Sequence, residues 1–409
     1  MGQTIAEKIL SKHVGKKVYA GDLVITPVDG VMATDTTAPY AIKAFREMGG
    51  KQVWDAAKCA LILDHAAPAP NERIANLHKM MREFAKEQGI RLFEIGEGIC
   101  HQIMVEQRYV KPGDVFMGAD SHTPTYGAVN ALACGVGSTD LAAVMLTGKI
   151  WLKVPQTLRI ICHGKLQKGV SAKDLILFLV GKITISGATY QSVEFHGEAF
   201  EGMTLASRMT VANMVAEMGA KTSIVHPKGL KLGYKFEKIT PDVSANYIKT
   251  LEFDVTDLQP QISAPDSPDK VQNIDNHVGT KVHYAFVGAC TNGRLEDLHA
   301  AAAILKGKKI HPDVRFIIAP ASKSVLLDAM KDGTAYTLVS AGATIINPGC
   351  GPCVGSHEGV PADGETVISA ANRNFRGRMG NPNSAIFLGS PATVAASALR
   401  GEITNPKDI

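Results

Sequence analysis

Short apolar runs alternate with stretches of helical periodicity along most of the chain, which is typical of βα units with largely parallel sheets. The sequence therefore predicts an α/β fold class. The last third shows the pattern best, and we predict these elements there: strand 283–288, helix 295–305, strand 314–318, a helix from the Ser322 cap to about 330, strands 343–346, 366–369 and 385–388, and helix 391–399.

The earlier parts of the chain repeat this style. Strands are predicted at 60–63 and 115–118, and a middle part opens with a strand at 157–162 and contains a helix over 206–218. Residues 260–277 are polar and rich in Pro and Asp, which predicts a linker. We therefore expect three α/β domains with mostly parallel sheets: residues 1–155, 156–276 and 277–409.

Residues with reactive side chains follow several of these strands. Cys290, Cys350, Cys353 and Arg373 all come just after the carboxyl end of a predicted strand. Ligands of open α/β sheets bind at that edge. The pattern therefore predicts one shared site.

Composition narrows the function classes. The 409 residues are 45% hydrophobic and 20% charged with a net charge of +4, which describes a globular protein and gives no basis for nucleic-acid binding. Seven cysteines, an odd and sparse set, indicate reduced thiols rather than a disulfide scaffold. No run approaches the roughly 20 apolar residues of a spanning helix, and the N-terminus lacks a signal-peptide core. We expect a cytoplasmic protein without membrane contact.

Three cysteines stand in two glycine-rich turns, Gly-Ala-Cys290-Thr-Asn-Gly and Pro-Gly-Cys350-Gly-Pro-Cys353. A lone cysteine is more often a buried thiol, as we expect for Cys59, Cys134 and Cys162. A Cys-x-x-Cys pair with one distant partner instead supplies three thiolates and leaves a fourth metal position open. Zinc and an iron–sulfur cluster both fit this spacing, and three thiolates without an obvious fourth ligand favour the cluster.

Carboxylates and imidazoles are paired in the first part of the chain. Asp64-His65 and Asp120-Ser121-His122 each end a predicted strand, and His101 lies between them. A carboxylate beside an imidazole sets its tautomer and raises its basicity, which suits proton transfer. One such pair is usually a surface pair, but this clustering favours an active site, with a hydrogen-bonding role for Ser121.

Two further motifs carry polar side chains, and the first of them suits an anionic substrate. Arg373 and Arg378 share one short loop, and guanidinium groups bind carboxylates through paired hydrogen bonds. Asn213 and Glu217 lie four residues apart, hence on one face of the predicted helix.

These motifs resemble those of the aconitase superfamily, particularly large subunits of the isopropylmalate isomerase and homoaconitase type, over essentially the whole chain. The matching segments are Gly-Ala-Asp120-Ser121-His122-Thr, Gly-Ala-Cys290-Thr-Asn-Gly-Arg, Pro-Gly-Cys350-Gly-Pro-Cys353 and Asn372-Arg373-Asn374-Phe-x-Gly-Arg378. The resemblance implies an aconitase-like architecture around a central iron–sulfur site.

The resemblance also implies site roles. Cys290, Cys350 and Cys353 would hold one 4Fe-4S cluster per chain, whose fourth iron binds the substrate. The pairs Asp64 with His65, His101 with Asp120, and His122 with Glu217 would handle the proton of the leaving or entering hydroxyl. The remaining implied roles concern the surroundings: Ser121, Arg373 and Arg378 near the substrate, and Asn213 and Asn372 near the cluster.

The implied activity is a hydro-lyase that interconverts 2- and 3-isopropylmalate in leucine biosynthesis, with homoaconitase or a related 2-hydroxy diacid dehydratase as the alternative. A different class, a zinc-stabilised binding module or an RNA-binding relative, stays open. Aconitases continue into a swivelling domain, so we expect a separate small subunit in a heterodimer or heterotetramer. Many relatives carry Gln or His where this chain has Thr34, which leaves one substrate contact undefined.

Overall fold

The computed structural model describes residues 2–409. Its first part contains a two-stranded antiparallel ribbon and a five-stranded parallel sheet. The strands of this part are β1 (Leu23–Pro27), β2 (Gly30–Thr34), β3 (Cys59–Ile62), β4 (Arg91–Phe93), β5 (Val115–Gly118), β6 (Leu132–Gly135) and β7 (Lys149–Lys153). The ribbon pairs β1 with β7, and the five-stranded sheet has the order β4-β3-β2-β5-β6.

The strand order of the first sheet defines where its ligand crevice lies. The chain leaves β2 toward β3 and β4, then returns to β5 and continues to β6 in the opposite direction. Such a reversal opens a crevice at the carboxyl ends of the two central strands. Asp64-His65 follows β3, and Asp120 follows β5, so the predicted carboxylate–imidazole pairs lie beside this crevice.

The second sheet is smaller and entirely parallel. Its order is β10-β9-β8-β11. Its strands are β8 (Thr157–His163), β9 (Ser192–His196), β10 (Thr222–Val225) and β11 (Lys249–Asp254).

The third sheet has seven strands in the order β13-β12-β18-β17-β14-β15-β16, with the pairs made by β12 antiparallel and the others parallel. The chain reverses direction between β14 and β17, so Cys290 and Asn372-Arg373 follow the two central strands. The strands are β12 (Gln261–Ser263), β13 (Val271–Asn273), β14 (Tyr284–Val287), β15 (Arg315–Ile318), β16 (Thr344–Ile345), β17 (Thr366–Ser369) and β18 (Ala385–Leu388).

The linker prediction for 260–277 is wrong, because β12 and β13 lie in this stretch and extend the edge of the third sheet. Short edge strands can be polar, since one side of their backbone stays free of the sheet. The predicted fold class, α/β with mostly parallel sheets, is confirmed. The division into domains at 155 and 276 stays a prediction.

Helices cover the sheets, and several of them begin with side-chain caps. Ser322 accepts a hydrogen bond from the backbone of Val325, as predicted, and Ser171 with Asp174 forms a reciprocal capping box. The helices are α1 (Ile5–Val14), α2 (Ala38–Glu47), α3 (Glu72–Gln88), α4 (Cys100–Glu106), α5 (Ser138–Thr147), α6 (Ala172–Ile183), α7 (Glu198–Glu201), α8 (Leu205–Asn213), α9 (Leu295–Leu305), α10 (Lys323–Lys331), α11 (Thr334–Ala341) and α12 (Pro391–Arg400).

One predicted helix differs from the structure. The helix expected over 206–218 ends as α8 at Asn213, and a 3-10 turn, Met214–Met218, completes it before Gly219. Tightening of the last turn is common at helix ends. Asn213 therefore ends the α-helix and Glu217 lies in the 3-10 turn, and both side chains are buried.

A central apolar cluster contains residues of all three sheets, and the three cysteines of the predicted metal site belong to it. Separate clusters fill the first and third sheets. Within residues 2–409, no helix is both long enough and apolar enough to cross a membrane.

Candidate active site

The three cysteines that follow β14 and β16 lie together in the central cluster. Cys290, Cys350 and Cys353 are 6%, 3% and 1% exposed, respectively, so each sulfur is shielded from bulk water. Asn213 Nδ2 donates to Cys290 Sγ at 3.1 Å, and Asn372 Nδ2 donates to the same sulfur at 3.3 Å. Amide donors directed at a buried sulfur favour its thiolate form, as metal ligation requires.

A guanidinium group lies beside the second turn. Arg378 Nη2 donates to Cys353 Sγ at 3.3 Å. The hydrogen bond from Cys350, together with this guanidinium, holds the pKa of Cys353 well below its usual range despite burial. Arg378 Nε is buried without a hydrogen-bond partner in the structure, so the guanidinium retains a donor for an anionic ligand.

Donors surround two of the three sulfurs. Amide groups reach Cys290 and a guanidinium reaches Cys353. A metal held by these three thiolates would keep one position open, and both a zinc ion and an iron–sulfur cluster accept such a set.

The turn at Cys350 is attached to the end of β3. Cys350 N donates to Asp64 O at 2.8 Å, and a Cβ on Gly349 would lie only 3.0 Å from the same carbonyl oxygen. Only a residue without a side chain permits this approach easily. The contact fixes the cysteine turn against the Asp64-His65 pair.

Asp64 and His65 form the first carboxylate–imidazole pair. His65 Nδ1 lies 2.8 Å from Asp64 Oδ1, and Asp64 Oδ2 accepts a hydrogen bond from Cys100 N at 2.7 Å. The carboxylate is therefore held by the start of α4 and in turn orients the imidazole. Cys100 itself is buried, and its contribution to this pair is the backbone hydrogen bond to Asp64.

Asp120 connects the three imidazoles. Its Oδ1 accepts from His122 N at 2.7 Å and lies 2.9 Å from His101 Nε2, while Oδ2 lies 3.4 Å from His65 Nε2. His101 Nδ1 lies 3.2 Å from the hydroxyl of Tyr126. One carboxylate thus links side chains from β3, α4 and the β5 end.

The surroundings shift the pKa values of these groups in opposite directions. Burial would lower the pKa of His65, but Asp64 and Asp120 on its two sides hold it well above the usual value. Burial lowers the pKa of His101, even though Asp120 opposes the shift. Burial would raise the pKa of Asp120, yet the imidazoles of His101 and its neighbours hold it well below. Neighbouring groups whose pKa values are shifted apart in this way can serve as proton donor and proton acceptor.

Glu217 joins the second sheet to the site. Its Oε1 lies 2.9 Å from His122 Nε2 and accepts from Arg373 Nε at 2.8 Å. Burial would raise the pKa of Glu217, but His122 and Arg373 outweigh it and keep the pKa below normal. One buried carboxylate oxygen therefore orients both an imidazole and a guanidinium that lines the cavity described next.

A cavity of about 470 Å³ opens beside these groups. Its lining includes Asp120, Ser121, Arg373 and Lys221. Ser121 is exposed, and Lys221 Nζ donates to Gly135 O at 3.0 Å. Two cations and a hydroxyl in one cavity suit a small polycarboxylate.

Sequence reasoning missed several residues that support the site. Asp35 accepts hydrogen bonds from the backbone of His65 and Ala66, and His78 Nε2 lies 3.2 Å from the same carboxylate. These contacts are long-range, and no local motif marks them. Lys221 was missed because a single lysine carries no signature.

Four further residues singled out from the sequence are buried. Cys59, Cys134 and Cys162 are buried, as predicted. The side chain of Thr34 is buried, and its Oγ1 lies 3.0 Å from Thr36 Oγ1 and 3.2 Å from Thr37 Oγ1. The hydroxyl of Thr34 is therefore engaged in the turn that leads into α2.

Known proteins resemble this chain over its whole length. The sequence model of the aconitase family (aconitate hydratase) matches residues 7–281 and 275–401. The 3-isopropylmalate dehydratase large subunit 1 of Methanopyrus kandleri is 47% identical over 415 residues, covering 100% of this chain and 99% of that protein. The corresponding large subunit 2 of Archaeoglobus fulgidus is 49% identical over 416 residues, with full coverage of both chains.

A relative with a different name is almost as similar. The homoaconitase large subunit of Thermus thermophilus is 45% identical over 412 residues, covering 100% of this chain and 98% of that protein. Among solved structures, the holo-form of Thermococcus kodakaraensis aconitase X matches 90% of this chain and 88% of its own with a TM-score of 0.51. The two sequences are 15% identical, so this comparison supports a shared fold alone.

Proposed function

The chain belongs to the aconitase family, and from this premise we propose that it is the large subunit of a 4Fe-4S hydro-lyase that interconverts 2- and 3-isopropylmalate in leucine biosynthesis. One observation carries the proposal. Three buried cysteines and three carboxylate–imidazole pairs meet where two sheets reverse their strand order. Relatives named as 3-isopropylmalate dehydratase large subunits support the choice of substrate.

The cysteine triad would hold the cluster. Cys290, Cys350 and Cys353 provide three thiolates, and Asn213 and Asn372 donate hydrogen bonds to the sulfur of Cys290. When bound, a cluster with three protein ligands supplies an open iron that acts as a Lewis acid toward the substrate hydroxyl.

His65 is the group that we assign to the proton of the hydroxyl. Its raised pKa keeps the imidazole protonated, and the 3.4 Å separation between His65 Nε2 and Asp120 Oδ2 is a loose contact. Nε2 would donate its proton to the departing hydroxyl, which leaves as water, and would recover a proton when water adds in the reverse direction. Asp64 keeps the ring oriented throughout.

Substrate carboxylates would bind through cations on two elements. Arg373 is anchored by Glu217, and Lys221 lines the same cavity. Ser121 offers a hydroxyl, and the free Nε of Arg378 offers a further donor near the cysteines. Paired guanidinium contacts suit the two carboxylates of isopropylmalate.

A separate small subunit would complete the enzyme. The relatives are named as large subunits, which supports a partner resembling the aconitase swivel domain, in a heterodimer or heterotetramer. In the described chain the groups beside the cavity handle the hydroxyl side of the reaction. The base that removes the carbon-bound proton is therefore expected from the partner.

Anaerobic reconstitution tests this proposal. The purified chain is loaded with iron and sulfide, mixed with its small subunit, and supplied with 3-isopropylmalate while ultraviolet absorbance of the unsaturated intermediate is followed. We expect turnover in the parent, loss of both iron and turnover in Cys350→Ser, and retention of both in Cys162→Ala, whose cysteine is buried in β8. A colourless protein with one zinc ion per chain and no turnover contradicts the proposal.

Homoaconitase activity is the second candidate, because the homoaconitase large subunit of Thermus thermophilus is 45% identical over the full chain. The same assay with homocitrate and with homoisocitrate distinguishes the two. A kcat/KM for these tricarboxylates above that for isopropylmalate assigns homoaconitase activity instead.

A further inference from the structure

A lysine lies fully buried between the second and third sheets. Lys173, in the first turn of α6, is 0% exposed. Removing an ammonium group from water is costly unless charges and hydrogen bonds compensate it. The contacts of Lys173 Nζ therefore indicate what the group is for.

Those contacts are two consecutive carbonyl groups of the third sheet. Lys173 Nζ donates to Ala370 O at 2.8 Å and to Ala371 O at 2.5 Å. Both carbonyls belong to the segment that follows β17, and the next two residues are Asn372 and Arg373. A side chain of the second sheet's helix thus holds the start of the loop that enters the active site.

The held loop reaches both halves of the site. Asn372 Nδ2 donates to Cys290 Sγ at 3.3 Å, and Arg373 Nε donates to Glu217 Oε1 at 2.8 Å. A shift of the Ala370–Ala371 carbonyls would move both donors, because they follow directly in the chain. The position of Lys173 therefore bears on the cysteine triad and on the substrate cation together.

A second buried cation holds the neighbouring turn. Arg294, which precedes α9 and is 3% exposed, donates to Cys290 O at 2.6 Å and to Thr291 O at 2.7 Å. Backbone carbonyl contacts from buried cations therefore hold both the turn that carries Cys290 and the loop that carries Asn372, whose amide reaches the sulfur of Cys290.

We propose that Lys173 is a positioning residue that fixes the Asn372–Arg373 loop and, through it, the amide donor at the sulfur of the cysteine-held cluster. This inference rests on the proposed cluster but not on the identity of the substrate. Replacement of Lys173 should therefore change the reduction potential and the lifetime of the cluster as well as the affinity for substrate.

The test compares Lys173→Met with Arg208→Met in the reconstituted holoenzyme. Arg208 is an equally buried cation of the same sheet region, and its guanidinium bonds only carbonyls away from the triad, those of Met203, His226 and Lys228. We expect Lys173→Met to lower the cluster's reduction potential, alter its electron paramagnetic resonance spectrum and shorten its lifetime in air. KM should rise about tenfold, the effect of losing one charged hydrogen bond between the displaced Arg373 and the substrate, with a smaller change in kcat. Arg208→Met should match the parent in all four.

Parent values of potential, spectrum, lifetime and KM in Lys173→Met would overturn the inference. Should this variant fail to fold, Lys173→Gln keeps a shorter donor and should show the same changes in smaller measure; parent values in that variant overturn the inference equally. Absence of any cluster signal in the parent itself contradicts the proposed function instead, so the two failures are distinct.

Discussion

Glu217→Gln tests how the site shares one carboxylate between an imidazole and a guanidinium. In the parent, Glu217 Oε1 bonds His122 Nε2 at 2.9 Å and Arg373 Nε at 2.8 Å, and the residue is 3% exposed. Glutamine keeps the shape and an acceptor oxygen but removes the charge. Both bonds then lose their charged acceptor, and the ion pair with Arg373 is lost.

The expected magnitude follows from these two bonds. A hydrogen bond to a charged group contributes about 1.5–3 kcal/mol and a neutral one about 0.5–1.5 kcal/mol, so two conversions remove about 2–3 kcal/mol. If this loss falls on the transition state, kcat/KM decreases about 30- to 150-fold. The measurement is steady-state turnover of isopropylmalate by the reconstituted enzyme with its small subunit.

Glu194→Gln is the matched control. Glu194 is also buried, and its Oε2 lies 3.1 Å from His196 Nε2 and accepts from the hydroxyl of Tyr247 at 3.1 Å, outside the site. This variant should lose stability to urea and keep its kcat/KM. A Glu217→Gln enzyme within threefold of the parent, or an equal loss in Glu194→Gln, would refute the assigned role of Glu217.

Three other variants probe separate parts of the account. Burial and the neighbouring Asp29 raise the pKa of Asp114 from 3.8 to about 6. Between these two values the folded state binds more protons than the unfolded state, so the free energy of unfolding decreases as pH rises. Asp114→Asn should remove this dependence on pH, measured by urea unfolding at several pH values. Asn213→Ala should speed the loss of iron in air, measured as iron content after a fixed exposure, because Cys290 loses a donor; equal retention would contradict the donor role. Ser121→Ala should raise KM about two- to tenfold, because one neutral hydrogen bond to the substrate is lost, and should leave kcat nearly unchanged. A decrease in kcat with an unchanged KM would exclude a binding role for Ser121.

Much of this site could be predicted from the sequence because its residues follow strands. The strands at 115–118, 366–369 and 385–388 are confirmed with the predicted bounds, and the residues after two of them, Asp120 and Arg373, lie at the site. Parallel strands place their carboxyl ends at one edge, so the order of apolar runs already brings these groups near each other. The catalytic roles of the site residues stay predictions that the variants above test.

Other parts could not be predicted, because they depend on contacts between distant segments. Lys173 meets the carbonyls of Ala370 and Ala371 almost 200 residues away, with separations of 197 and 198. Asp35 supports His65 across 30 residues of sequence. Apolar periodicity predicts an element's buried face but not which buried polar groups find one another.

The most direct test of the central claim is the electron paramagnetic resonance spectrum of the reduced, anaerobically loaded chain with its small subunit, recorded with and without isopropylmalate. The account predicts an iron–sulfur signal whose position shifts when the acid is added, because one iron is left without a protein ligand. A signal that the acid leaves unchanged, or a protein that holds zinc and gives no signal, would contradict it.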